Sequence, residues 1–191
     1  MEDFDWQAAI DRYYPAGRKA RGILLEHSRR VAALALHIAH HNKLPLTDSE
    51  ITAAAMLHDI GIIATDAPGI DCHGSAPYLA HGSFGADMLR SLGAPEKYAL
   101  VAERHTGAGL TPEEIASAGL PLPPGRDYMP HSLLERLICY ADCFYSKGTS
   151  LDFKPLERVR KSMERFGPGV LERFDAMRRE FPFDTSGREL D

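Results

Sequence analysis

The sequence predicts an all-α fold, a compact single-domain helical bundle. Three observations carry that expectation. Apolar residues recur at helical spacing in most segments, strand-like alternation is nearly absent, and three helix starts show the pattern of a capping box. Glycine and proline separate the segments, with no repeat of fixed period and no low-complexity tract.

The elements follow in order. Residues 1–19 read as an N-terminal helical extension. The first strong helix begins near Ile23 and runs through LLEHSRRVAALALHIAHHN, with Leu24, Val31, Leu34, Ala35 and Ile38 as its apolar stripe, and Lys43-Leu44-Pro45 ends it. Thr47 to Glu50 form a capping box that opens ITAAAMLHD, which Gly61 is expected to close. Residues 62–78, broken by Pro68, Gly69, Gly74 and Pro77, read as a loop and a candidate lid. A helix from about Leu79 to Leu92 stops at Gly93. Pro95 then lies in the first turn of the next, which carries KYALVAERH. Thr111 and Glu114 cap a short helix ending at Gly119, and PLPPGRDYMP is a proline-rich loop. Ser132 and Glu135 open HSLLERLICYADCFYS. Two amphipathic helices complete residues 148–191, packing on the main body of residues 20–147.

With 191 residues, 44% hydrophobic and 26% charged, the chain is long enough for one filled core and is unlike a disordered sequence. The N-terminus lacks the basic and apolar regions of a signal peptide, and no stretch reaches the roughly 18 apolar residues of a membrane span. Cys72, Cys139 and Cys143 form no disulfide-like or zinc-like pattern, so a reducing, cytoplasmic setting without membrane partners is expected. The net charge of −5 argues against an extended nucleic-acid surface but not against a small phosphorylated substrate, since bound cations reverse the local sign. The composition leaves the oligomeric state open, a homodimer included.

Several polar residues fall on apolar faces. His27 precedes Val31 by four and Leu34 by seven; His105 follows Val101 by four; Asp142 follows Ile138 by four; His81 shares a face with Gly85 and Met88. His58 and Asp59, about 100° apart, border one cavity at a helix end. A single inward histidine is usually a satisfied core residue, but six such positions on five segments favour coordination of iron, manganese or zinc. His37, His40 and His41 read as a solvated face, and His131 as loop. Cys139 and Cys143 read as small buried hydrophobes. Arg30, Arg104, Lys147 and His73 are candidate substrate contacts.

In their order, His27, then His58-Asp59 in LHDIG, then Asp142 in YADCF resemble the signature of the HD superfamily of metal-dependent phosphohydrolases over about residues 20–147. His81-Gly82 and His105-Thr106 resemble the additional histidines of its binuclear subset, which includes the HD-type symmetrical dinucleoside tetraphosphate hydrolases. The resemblance implies an HD-type bundle in which His27, His58, Asp59 and Asp142 hold one metal. His81 and His105, with Asp59 bridging, hold a second, and Asp59 and His58 are the catalytic pair. Two divalent ions are implied (Fe, Mn, Mg or Zn, with iron or manganese favoured), along with hydrolysis of a phosphate ester or anhydride, the substrate being a nucleotide. Ile62 and Ile63 stand where many relatives have a lysine, and no GYP string is present, which excludes a cyclic-di-GMP enzyme on motif grounds. Two rival expectations stand beside this one: a di-iron oxygenase with the same six ligands, and a non-catalytic metal-binding regulatory module.

Overall fold

A computed structural model describes residues 4–147 and 152–184. It is all-α. The helices are α1 (Trp6–Tyr13), α2 (Lys19–Asn42), α3 (Asp48–Leu57), α4 (His81–Ser91), α5 (Glu96–Arg104), α6 (Pro112–Ser117), α7 (Leu133–Asp142), α8 (Leu156–Glu164) and α9 (Pro168–Glu180). Beside them is one two-stranded antiparallel ladder, β1 (Asp66–Ala67) and β2 (Cys72–His73), which pairs Asp66 with His73 and Ala67 with Cys72. None of these helices is long and apolar enough to cross a membrane.

The long helix α2 is the spine. Leu24, Val31, Leu34, Ala35 and Ile38 are all buried, and this stripe lies against α3 and α7. Each of its larger side chains contributes roughly 1.5–3 kcal/mol by leaving water. Helix α2 begins at Lys19, about one turn earlier than its apolar stripe indicates, and ends where Lys43 adopts a left-handed conformation at φ 52°. Helix α4 packs on α5 and on a 3₁₀ turn at Ile60–Ala64, and α9 packs on α7 and α8. Tyr140 of α7 meets Phe174 of α9 with ring centroids 5.4 Å apart.

The capping boxes at Thr47/Glu50 and Thr111/Glu114 form with both reciprocal bonds. Ser132 accepts from the Glu135 backbone N–H, but the Glu135 carboxylate accepts from the His131 backbone and the Ser132 hydroxyl instead of closing the box. Pro95 sits at the N-cap of α5, one position before its first turn. Helix α4 begins at His81, after a 3₁₀ turn over Tyr78–Ala80.

Two expectations are corrected. Gly61 does not end α3, which stops at Leu57; it lies within the 3₁₀ turn. It is glycine because a Cβ there would stand 2.1 Å from the His81 carbonyl oxygen and 2.3 Å from the Gly85 nitrogen. Residues 62–78 are not simply an irregular loop. They hold the β1–β2 ladder, bury Thr65, Cys72 and Ala76, and are tied to α1 and α2: the Tyr14 hydroxyl accepts from the Ile63 N–H, and Arg18 pairs with Asp71.

Candidate metal centre

Five elements deliver the six polar residues to one point. His27 comes from the middle of α2, His58 caps α3 with Asp59 next in sequence, His81 opens α4, His105 caps α5, and Asp142 ends α7. All are buried except Asp142, whose side chain keeps 15% exposure and marks the more open side.

The arrangement centres on the Asp59 carboxylate, which is 0% exposed. Its Oδ2 lies 3.3 Å from the Nε2 atoms of both His27 and His58. Its Oδ1 lies 3.3 Å from the Nε2 atoms of both His81 and His105. Asp142 closes the first group, with its Oδ1 2.9 Å from His27 Nε2 and 3.4 Å from His58 Nε2. The donors therefore form two sets sharing Asp59: His27, His58, Asp59 and Asp142, and Asp59, His81 and His105.

Backbone carbonyls orient three of the rings, each three residues earlier in sequence. The Nδ1–H of His58 donates to Ala55 (2.6 Å), that of His81 to Tyr78 (2.7 Å) and that of His105 to Ala102 (2.8 Å). A neutral ring so bound presents only a lone pair at Nε2, the form that ligates metal. His27 lies within a continuous helix, and its buried Nδ1 has no hydrogen-bond partner. Close helix contact underlies the geometry: a Cβ on Gly82 would stand 2.5 Å from the carbonyl oxygen of Ala102, the group that orients His105.

These residues fit divalent cations. Both Asp59 oxygens and His58 Nε2 are buried without a hydrogen bond; the Lys147 ammonium, 3.0 Å from Asp59 Oδ2, offsets part of the cost of several kcal/mol, and a bound cation between the donors would offset the rest. The Nε2 atoms of His81 and His105 face each other at 2.9 Å, and two lone pairs at that distance repel unless a proton or metal ion lies between them. The electrostatics agree. Burial opposes ionisation of Asp59 and Asp142, yet the surrounding imidazoles and Lys147 hold both well below the ordinary carboxylate range. Burial also opposes protonation of His58, but Asp59 and Asp142 outweigh it and bring its pKa up to about 10, so that with no metal bound Nε2 takes a proton that a cation would displace; burial takes the pKa of His105 down to about 4.

Against this geometry stands a family match: the model of the HD domain covers residues 24–146. The chain belongs to the HD-domain family. Membership supports a metal-dependent, hydrolase-type function for this HD domain, whose His/Asp cluster fits divalent metal binding. An uncharacterized protein of Methanocaldococcus jannaschii is 38% identical over 75% of this chain and 78% of its own length. Two proteins named tRNA (cytidine(56)-2'-O)-methyltransferase are also similar. The one from Picrophilus torridus is 31% identical over 72% of this chain, and the one from Thermoplasma volcanium 32% over 74%. The chain spans only 36% and 37% of those two enzymes. No solved structure matches.

Of the candidate substrate contacts, Lys147 is the one that this HD domain brings to the cluster: its Nζ lies 3.0 Å from Asp59 Oδ2. Tyr78 was not singled out from the sequence. Its ring stands 5.1 Å from that of His81, its carbonyl orients that imidazole, and its hydroxyl is under the influence of Lys147. The available signal was its position three residues before an inward histidine. Arg30 pairs with Glu26 one turn back, and His73 is an exposed ring beside Asp71. His40 pairs with Asp48 and His131 with Asp127, both on the surface. Cys139 and Cys143 direct their thiols to the Gly107 carbonyl, and burial pushes both pKa values up, that of Cys143 to about 12.

Arg104 is engaged structurally. It bonds the buried Glu135 at 3.0 Å and Asp127 at 3.1 Å, tying the end of α5 to the start of α7. Burial raises the pKa of Glu135, but the His131 N–H, the Ser132 hydroxyl and Arg104 lower it further, so the net shift is downward. Stability from this pair is therefore present above the unfolded carboxyl pKa and is lost as pH falls through the depressed one. Arg104→Ala is expected to lose about 3 kcal/mol at neutral pH. Urea denaturation should show its deficit shrinking in acid as Glu135 protonates in both proteins; an equal deficit at every pH would remove the pair as its cause.

Proposed function

We propose that this HD domain is a phosphohydrolase with a binuclear metal centre, hydrolysing a phosphate ester or anhydride of a nucleotide. The observation carrying the proposal is the division of Asp59, one oxygen toward His27 and His58 and the other toward His81 and His105. His27, His58, Asp59 and Asp142 would hold one ion, and His81, His105 and Asp59 a second. The mixture of imidazole and carboxylate suits iron or manganese. Divalent ions in such a set supply Lewis-acid polarisation of a phosphoryl oxygen and a hydroxide nucleophile at neutral pH.

The chain's own groups have definite tasks. Asp59 and His58 set the charge and shape of the centre, their rings and oxygens fixed by burial and by the Ala55 carbonyl. Lys147 brings an ammonium within reach of the same point and offers it to phosphate oxygens when substrate enters. Tyr78, 38% exposed, forms the rim beside His81. Methyl transfer is not part of the reading, because the match covers about a third of the methyltransferases and the donor set recruits cations.

The test is metal content per chain after purification without chelator, followed by phosphate release from nucleotides and dinucleoside polyphosphates. About two metals per chain with turnover is the expected result. Two irons with oxygen consumption and no phosphate release would replace the hydrolase with an oxygenase; metal without an exchangeable water would make it a structural module. His81→Ala is expected to lose one of the two ions, and unchanged stoichiometry would reduce the centre to a mononuclear one.

A further inference from the structure

We infer that the protein has a second ligand site, on the opposite side of α7 from the metal centre, for a small molecule that joins an aromatic ring to a phosphate. The site is a cavity of about 460 Å³ lined by Tyr140, Arg160, Asp175, Arg178, Arg179 and Phe183, among others. That volume falls in the range of small-molecule sites.

Its chemistry is specific. Tyr140 is 0% exposed, yet its hydroxyl has no hydrogen-bond partner, an arrangement that carries an uncompensated desolvation cost. Tyr140 lines the cavity together with Arg160, Asp175 and Arg178, so this unpartnered phenol lies on its charged wall. Arg160 pairs with Asp175, whereas Arg178 and Arg179 are exposed and form no ion pair with the described residues. Three guanidinium groups thus face one carboxylate, and the excess is positive. Guanidiniums from two consecutive residues of α9, together with a phenol donor, suit a phosphate, which accepts forked bonds at several oxygens. The half-buried Phe183 ring, held edge to face against Tyr140 with centroids 5.9 Å apart, lines the same cavity and offers an apolar surface to a planar ring.

The position gives the site a reason to matter. Tyr140 and Asp142 are two residues apart on α7, about 200° around the helix, so they present to opposite faces. A ligand that bonds the Tyr140 hydroxyl would bear on the helix that ends in Asp142. The site itself does not depend on the hydrolase reading.

Equilibrium dialysis of the full chain with AMP, adenosine and inorganic phosphate, before and after chelation, tests the inference. AMP is expected to bind at a site that survives chelation, more tightly than adenosine or phosphate. The Arg178→Ala/Arg179→Ala double variant should weaken that binding about tenfold or more, and Tyr140→Phe severalfold, with metal content and far-UV circular dichroism unchanged. AMP binding that disappears with chelation, that is matched by adenosine, or that is as tight in the double variant as in the wild type would overturn the inference.

Discussion

Asp59→Ala is expected to lose bound metal and hydrolytic activity together while keeping its helices. Among the described residues no other carboxylate meets both histidine pairs, so its removal opens both donor sets at once. A fall of about 10³-fold or more in kcat/KM is expected, about 4 kcal/mol of transition-state stabilisation. Helix content should persist because α2, α3, α5 and α7 are held by their own apolar faces, which do not include Asp59. Metal analysis, phosphate release and far-UV circular dichroism on one preparation read all three. Full activity in this variant would refute the centre, whereas lost helicity would show that the carboxylate also holds the fold. Asp59→Asn, which keeps the shape and removes the charge, should reproduce the metal loss if charge is the cause.

Gly61→Ala is expected to be strongly destabilising. Its new methyl group would stand 2.1 Å from the His81 carbonyl oxygen, 2.3 Å from the Gly85 nitrogen and 2.8 Å from the Gly85 Cα. These are backbone atoms of α4, so relief requires moving the helix that begins at His81. A loss of about 3 kcal/mol or more follows, or ~6–12 °C in Tm for a chain of this size. Scanning calorimetry checks it, with Gly22→Ala as the control: nothing lies within 4 Å of that position on α2, so alanine there should be neutral or stabilise by about 0.5–1 kcal/mol. Equal Tm values in the two variants would mean that α4 and the 3₁₀ turn tolerate separation.

The helices and most of the donors were legible in the sequence because each depends on local periodicity. His27 and Asp142 stand out as polar residues at core spacing, and the Thr47/Glu50 box marks the helix that carries His58 to the cluster. Short-range geometry could not tell Lys147 from Arg104, since each lies near a donor in sequence. The packing of α5 on α7 assigns Arg104 to Glu135, while the turn after α7 brings Lys147 to Asp59. The β1–β2 ladder was missed because two-residue strands carry no alternation to detect.

By itself the sequence indicated that His27, His81, His105 and Asp142 lie on apolar helix faces, because side-chain direction on a helix follows from spacing alone, whereas it gave no sign that Glu103 and Glu135 are also buried. Only the tertiary structure decided how the donors pair across Asp59, why Gly61 and Gly82 leave no room for a methyl group, and which cation reaches the cluster. Those features depend on distances of a few ångströms between residues far apart in the chain, which are set by the packing of whole helices rather than by any local run of residues.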